Sequence, residues 1–266
     1  MDYRTYEHLA FRRQGRRLDV ILNRPDALNA VNNALHEELG QVFYDIARDD
    51  ETDVVILTGA GRAFCAGGDL AEMKAHIDKG QGDYLSAVTA KRIVFSLLEL
   101  EKPVIARING HCMGLGATLA LLCDMTVAVS TAKIGDPHIK AGVVAGDGGG
   151  FLWPALVGFA RAKEALLLGD AMTADDAVRI GLINRAVPAE ALDATVDELS
   201  QKLLDGPRDA IRWTKITMNL HLRQLAQQHM DAALAYEWHT FRSADHAEAV
   251  QAFTEKRSPR FNRKHS

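Results

Sequence analysis

The stretch that decides the fold is Val54-Val55-Ile56-Leu57-Thr58-Gly59, followed at once by Gly61-Arg62-Ala63-Phe64-Cys65-Ala66-Gly67-Gly68-Asp69-Leu70. An unbroken apolar and β-branched run bounded by glycine reads as a buried strand of the kind found in parallel sheets. The arrangement recurs downstream, where the strand Val104-Ile105-Ala106-Arg107-Ile108 leads into Asn109-Gly110-His111-Cys112-Met113-Gly114-Leu115-Gly116-Ala117. Around these, Leu35, Leu39, Val42, Phe43 and Ile46 recur at helical spacing, so 32–48 is a helix, as are 84–100 and 115–122. Residues 125–129 and 183–187 read as further strands, and two alternating runs flanking Gln14-Gly15 form a hairpin that ends at Asn23-Arg24-Pro25. Strands separated by helices predict an α/β fold.

Beyond Glu190 only helical periods follow, over 191–204, 208–222, 225–242 and 245–256. This change predicts a core over residues 1–203 and a helical C-terminal region over 204–266. The apolar residues Leu220, Leu222, Leu225, Met230 and Leu234 suit that region to oligomerisation. No low-complexity segment and no repeat of fixed period is present.

The chain has 266 residues, 47% of them apolar and 25% charged, which fits a soluble globular protein and excludes collagen-like, disordered and disulfide-scaffold classes. A net charge of −4 argues against nucleic acid as a partner. Cys65, Cys112 and Cys123 show no CxxC spacing, which fits the reducing cytoplasm. The N-terminus lacks an apolar signal segment, and Thr118 and Asp124 interrupt the longest apolar stretch, so neither a signal peptide nor a membrane span is expected.

Both glycine-rich segments leave strands and precede helices. Glycines there let the backbone approach a ligand, and the first N–H groups of the next helix are unpaired donors. Two such donors converging on one oxygen form an oxyanion hole. The run from Gly114 to Leu119 approaches a dinucleotide fingerprint, but residues 109–113 separate it from its strand and its third position is a leucine.

Four segments, in order, resemble the enoyl-CoA hydratase/isomerase (crotonase) superfamily: Asn23-Arg24-Pro25-Asp26-Ala27-Leu28-Asn29-Ala30; Phe64-Cys65-Ala66-Gly67-Gly68-Asp69-Leu70; Ile108-Asn109-Gly110 with Gly114-Leu115-Gly116; and Phe253-Thr254-Glu255-Lys256-Arg257. The resemblance covers essentially the whole chain. It implies a spiral of ββα units with C-terminal trimerisation helices, a homotrimer or hexamer, and acyl-CoA thioesters as substrates, with no cofactor beyond the coenzyme A of the substrate and no metal. It also implies that the Ala66 and Leu115 N–H groups hold the thioester oxygen of an enolate, and that Arg24, Ala27, Ala66, Asp69, Leu70 and Lys256 contact coenzyme A. Asp26 stands where many relatives place a lysine near the CoA phosphates.

Hydratases of this family carry two glutamates; the matching positions here hold Thr118 and His138. A threonine hydroxyl does not ionise near neutral pH, whereas an imidazole titrates there. Nine residues on, Asp147 sits in the run Gly146-Asp147-Gly148-Gly149-Gly150. His138 and Asp147 are therefore the candidate proton-transfer residues, with Asp147 orienting the ring or sharing its proton. The competing roles are a helix cap for Asp147 and a solvated loop position for His138. This His-then-Asp spacing also resembles the β-diketone hydrolases of the oxocamphor hydrolase type. Asp136 reads as a turn residue, His111 as structural, Glu237 as a helix-surface or subunit-contact residue, and Lys256, Arg257, Arg260, Arg263 and Lys264 as a solvated basic tail. Three functions stay open: a hydratase/isomerase-type enzyme, a β-dicarbonyl hydrolase, and a non-catalytic acyl-CoA binder.

Overall fold

The computed structural model describes residues 1–80 and 85–261. Tyr84, placed at the head of the predicted helix 84–100, and Arg263 and Lys264 of the basic tail lie outside the described residues. The elements run β1 (Leu9–Gln14), β2 (Arg17–Leu22), α1 (Asn33–Ala47), β3 (Val54–Gly59), β4 (Ala63–Cys65), α2 (Leu70–Asp78), α3 (Ala87–Glu99), β5 (Val104–Ile108), β6 (His111–Met113), α4 (Leu115–Leu121), β7 (Met125–Val129) and β8 (Lys133–Gly135). They continue with α5 (Gly149–Val157), α6 (Phe159–Leu168), β9 (Met172–Thr173), α7 (Ala174–Arg179), β10 (Arg185–Val187), α8 (Leu192–Leu204), α9 (Arg208–Phe241) and α10 (Ala244–Thr254).

Two sheets account for the strands among the described residues. One has the order β1-β2-β3-β5-β7-β10 and the other β4-β6-β8-β9. The consecutive pairs β3/β4, β5/β6 and β7/β8 each give one strand to each sheet before the chain enters a helix, which is the spiral of ββα units. All six residues of β3 are buried, as its composition demands. The hairpin pairs Leu9 with Leu22 and Gln14 with Arg17, so Gly15-Arg16 is the turn, one residue on from the expected Gln14-Gly15. Leu35, Leu39, Val42, Phe43 and Ile46 form the buried stripe of α1, and the Asn32 side chain caps it by accepting from Leu35 N–H.

The C-terminal region departs from the expected pattern in one respect. The two helices predicted over 208–222 and 225–242 are one helix, α9, of 34 residues. Its Met230 and Leu234 are buried in the core and Leu222 and Leu225 pack against it, so of the five residues expected to lie uncovered only Leu220 is exposed. Buried Lys215 anchors α9 to the core through Asp124, at 2.8 Å, and through the Lys102 carbonyl. Helix α10 turns back onto α2 and onto the 3-10 turn His138–Ala141. There Met73, Val143, Phe241 and Val250 form a second small core. No helix among the described residues is long and apolar enough to cross a membrane.

Candidate active site

The first glycine loop is held by the turn that precedes α1. Leu28 and Asn29 both have positive φ, which curls 24–31 so that the Asn29 side chain donates to the Ala60 and Ala63 carbonyls at 2.9 Å. Val31 N–H donates to the Gly67 carbonyl and Asp69 N–H to the Val31 carbonyl. These two bonds clamp the chain on either side of Gly68. In such a parallel bridge the N–H of the middle residue points away from the partner strand, and among the described residues Gly68 N–H has no acceptor. Ala66 N–H, in contrast, is committed to the Leu28 carbonyl at 3.0 Å. The expectation that Ala66 supplies the first oxyanion donor is therefore corrected: the donor left over on this loop is Gly68, two residues on.

The second expected donor, Leu115 N–H, lies at the start of a helix. Gly114, at φ +53, ends β6 and lets Leu115 open α4, so Leu115 N–H belongs to the unpaired first turn. The two loops abut, since a Cβ at Gly114 would lie 3.6 Å from Gly67 Cα and 3.5 Å from His138 Cε1. His138 thus sits directly beside the glycine loops.

His138 opens the 3-10 turn that follows β8, and its partly exposed ring is ringed by acids. Nδ1 is hydrogen-bonded to Asp136 Oδ1. On the other side Nε2 faces Asp147 Oδ2 at 3.5 Å and Glu237 Oε1 at 3.9 Å. Asp147 accepts a hydrogen bond from Thr118 Oγ1 at 3.1 Å. Asp136, Asp147 and Glu237 are all buried. The glycines of 146–150 make this possible: a Cβ on Gly146 would lie 2.5 Å from Glu237 Oε2, and one on Gly149 would overlap Asp136 Oδ2.

Burial is the largest influence on each of these groups. It lifts the Glu237 carboxyl well above its usual range, with the neighbouring carboxylates adding to the rise and His138 opposing it. It lifts Asp147 too, against the pull of His138 and the Thr118 hydroxyl. Burial opposes the charged form of His138, but Asp136, Asp147 and Glu237 together outweigh it and hold the imidazolium well above its ordinary pKa. The cluster therefore sets two buried carboxyl groups, shifted toward their protonated forms, against an imidazole shifted toward its charged form.

Among the predicted residues, the structure brings His138, Asp147, Thr118 and Leu115 to one place. The N-cap position of α5 is Gly148, and the Asp147 carboxylate beside it takes a hydrogen bond from Gly149 N–H as well as from Thr118. Asp136 and Glu237, read from the sequence as a turn residue and a surface residue, are both members of the cluster. His111 is exposed, and its Nδ1 accepts from Lys133 N–H, a structural role. Of the residues assigned to coenzyme A, Arg24 binds the Ala30 carbonyl and Asp69, and Asp69 also caps α2 through Ala71 and Glu72 N–H. Ala27 lies in the 3-10 turn Pro25–Ala27, Leu70 begins α2, and Lys256 is exposed beyond α10. Donor atoms of Asp136, His138 and Asp147 lie within 4.8 Å of one another, the spacing of a metal site. The two ring nitrogens face different carboxylates, Nδ1 that of Asp136 and Nε2 that of Asp147.

A family model described as enoyl-CoA hydratase/isomerase matches residues 15–264. The short-chain-enoyl-CoA hydratase of Clostridium acetobutylicum is 37% identical over 92% of this chain and 94% of its own length. The 1,2-epoxyphenylacetyl-CoA isomerase of Escherichia coli is 35% identical over 93% of this chain and 95% of its own. The crystal structure of an enoyl-CoA hydratase from Mycobacterium avium subsp. paratuberculosis superposes with a TM-score of 0.87 at 28% identity, covering 97% of this chain and 99% of the other. The fold, the paired glycine loops and these matches agree: the chain is an enzyme of the enoyl-CoA hydratase/isomerase family.

Proposed function

We propose that the enzyme adds water across the double bond of an α,β-unsaturated acyl-CoA thioester through an enolate, with a histidine-centred cluster in place of the two usual glutamates. The observation that carries this reading is that Asp147 and Glu237 both face His138 Nε2, beside two uncommitted backbone donors. The His138–Asp147 pair accepts a proton from water as one unit, and the hydroxide oxygen bonds to the β-carbon. The displaced electron pair moves through the α-carbon to the carbonyl oxygen, where Gly68 and Leu115 N–H stabilise it, aided by the N-terminus of α4. Glu237 then protonates the α-carbon, and the His138–Asp147 pair returns a proton to it across 3.9 Å. A buried set of this kind is costly to maintain, which argues against a non-catalytic binder.

One observation favours a second reading. Arg24 is tied to Asp69 and the neighbouring Asp26 is exposed, so this face offers little attraction to CoA phosphates. The same relay and donors suit hydrolysis of a β-dicarbonyl compound, in which water attacks a carbonyl carbon and the enolate is the leaving group. An assay of crotonyl-CoA and a cyclic 1,3-diketone in ¹⁸O water separates the two. Hydration places the label on a β-hydroxyl, and cleavage places it in a carboxylate. Turnover of neither overturns both readings. Association into trimers or hexamers is part of the proposal, supported by exposed Phe159, Leu167 and Leu168 on α6 and Trp213 and Met218 on α9.

A further inference from the structure

We propose that Asp136 is the positioning residue of the site: its carboxylate holds His138 through Nδ1, so that Nε2 is the nitrogen that exchanges protons. The inference rests on the proton-transfer reading above and assigns the ring's orientation to a residue that neither hydratase glutamate replaces.

The arrangement of the turn argues that Asp136 serves the ring rather than the backbone. The turn is already closed without it, by Lys140 N–H to the Pro137 carbonyl at 2.9 Å and Val143 N–H to the His138 carbonyl at 3.0 Å. His246, on α10, secures the turn from outside through the Ala141 carbonyl at 2.8 Å. The backbone contact that Asp136 does make, from His138 N–H, is long at 3.4 Å. Its strong bond is to the imidazole. The Asp136 side chain is fully buried, and Oδ2 has no hydrogen-bond partner among the described residues. A carboxylate retained for structure would be expected to satisfy both oxygens, because a buried acceptor without a donor costs free energy. Space for that oxygen exists only because residue 149 has no side chain. The chain thus admits a carboxylate at this depth for the sake of one bond.

A carboxylate on Nδ1 fixes the tautomer, because Nδ1 must then carry a proton and Nε2 is left to work. It also offsets the charge on the ring whenever Nε2 is protonated. Asparagine retains the shape but presents either an amide donor, which reverses the tautomer, or a weaker acceptor.

The test begins with the unsubstituted protein, labelled with ¹⁵N-histidine, in a long-range ¹H–¹⁵N correlation spectrum. His138 should carry a hydrogen-bonded proton on Nδ1 throughout the pH range of activity; a bare Nδ1 overturns the proposal whether or not any variant folds. Asp136→Asn should lower kcat about a thousandfold or more with KM changed by less than about threefold, using whichever of crotonyl-CoA and the cyclic 1,3-diketone is turned over. In a His138→Ala background the same substitution should cost nothing further. A second loss there would mean that Asp136 acts through the fold and not through the ring. Full turnover by His138→Ala would instead overturn the proton-transfer reading, leaving the Nδ1 proton to decide how the ring is held.

Discussion

Thr118 Oγ1 donates to Asp147 Oδ1 across 3.1 Å, joining the helix behind the second glycine loop to the acid beside His138. Thr118, which the family resemblance matches to a hydratase glutamate, thus supports a carboxylate contributed from elsewhere in the chain. The hydroxyl favours the ionised form of Asp147, so its loss raises that pKa further. Thr118→Val should therefore move the acid limb of the kcat/KM profile to higher pH, as read from rates between about pH 5 and 9. A limb that stays in place would remove Asp147 from the titrating unit.

The two candidate oxyanion donors on the first loop give opposite outcomes. Gly68→Pro deletes an uncommitted N–H and should lower kcat by about 10²- to 10³-fold. Ala66→Pro deletes the bond to Leu28 and should cost about 1 kcal/mol of stability, seen in thermal melts, along with any rate loss from loop distortion. Equal kcat losses in the two variants would contradict the assignment to Gly68.

His138→Ala and Asp147→Asn should each reduce kcat by about two to four orders of magnitude with ligand binding retained, and the double variant should be little worse than the more impaired single. Isothermal titration with a saturated acyl-CoA checks binding separately from turnover.

Glu237→Gln keeps the shape of a neutral carboxylic acid and removes its transferable proton. It should fold at least as well as the parent at neutral pH while losing about 10²-fold or more in kcat. In deuterated water the residual product should show slowed deuterium entry at the α-carbon. Unimpaired entry would take Glu237 out of the mechanism.

Lys215 and Asp124 form a buried ion pair between α9 and the core, with side chains 6% and 20% exposed. Lys215→Met leaves the carboxylate alone in the interior and should destabilise the protein by about 3 kcal/mol. Urea unfolding measures this, and adding Asp124→Asn should restore much of the loss.

The sheet strands and α1 were legible because apolar period and burial coincide in them. Strands β4 and β6, at three residues each, are too short to show alternation. The ββα repeat is visible only through the family resemblance and not as a sequence period, because its turns are unequal, with β3, β5 and β7 beginning at 54, 104 and 125. Helix α9 was divided at Arg223-Gln224, where the apolar period lapses; no glycine or proline breaks it, and Arg223 instead pairs with Glu99 at 2.9 Å. His138 and Asp147 declared themselves by type and spacing. Asp136 beside a proline looked like a turn, since nothing local reveals its complete burial. Glu237 reaches the site only through the docking of a helix remote in sequence. The shift from Ala66 to Gly68 follows from which N–H groups Val31 and Leu28 leave over, a matter of pairing that composition does not display.

The contact between Gly146 and Glu237 carries a consequence for how the chain matures. Before α9 docks, Glu237 is an ordinary hydrated carboxyl; afterwards it is buried against Gly146 and its pKa is raised, which favours the protonated form. Docking of α9 and protonation of Glu237 are therefore linked, each favouring the other. A group whose folded pKa is raised adds stability below its unfolded value, near 4.5, and that contribution is lost as pH rises toward the folded value. Rising pH accordingly weakens the hold of the very helix that completes the cluster, and a chain with α9 displaced has lost Glu237 from the side of His138.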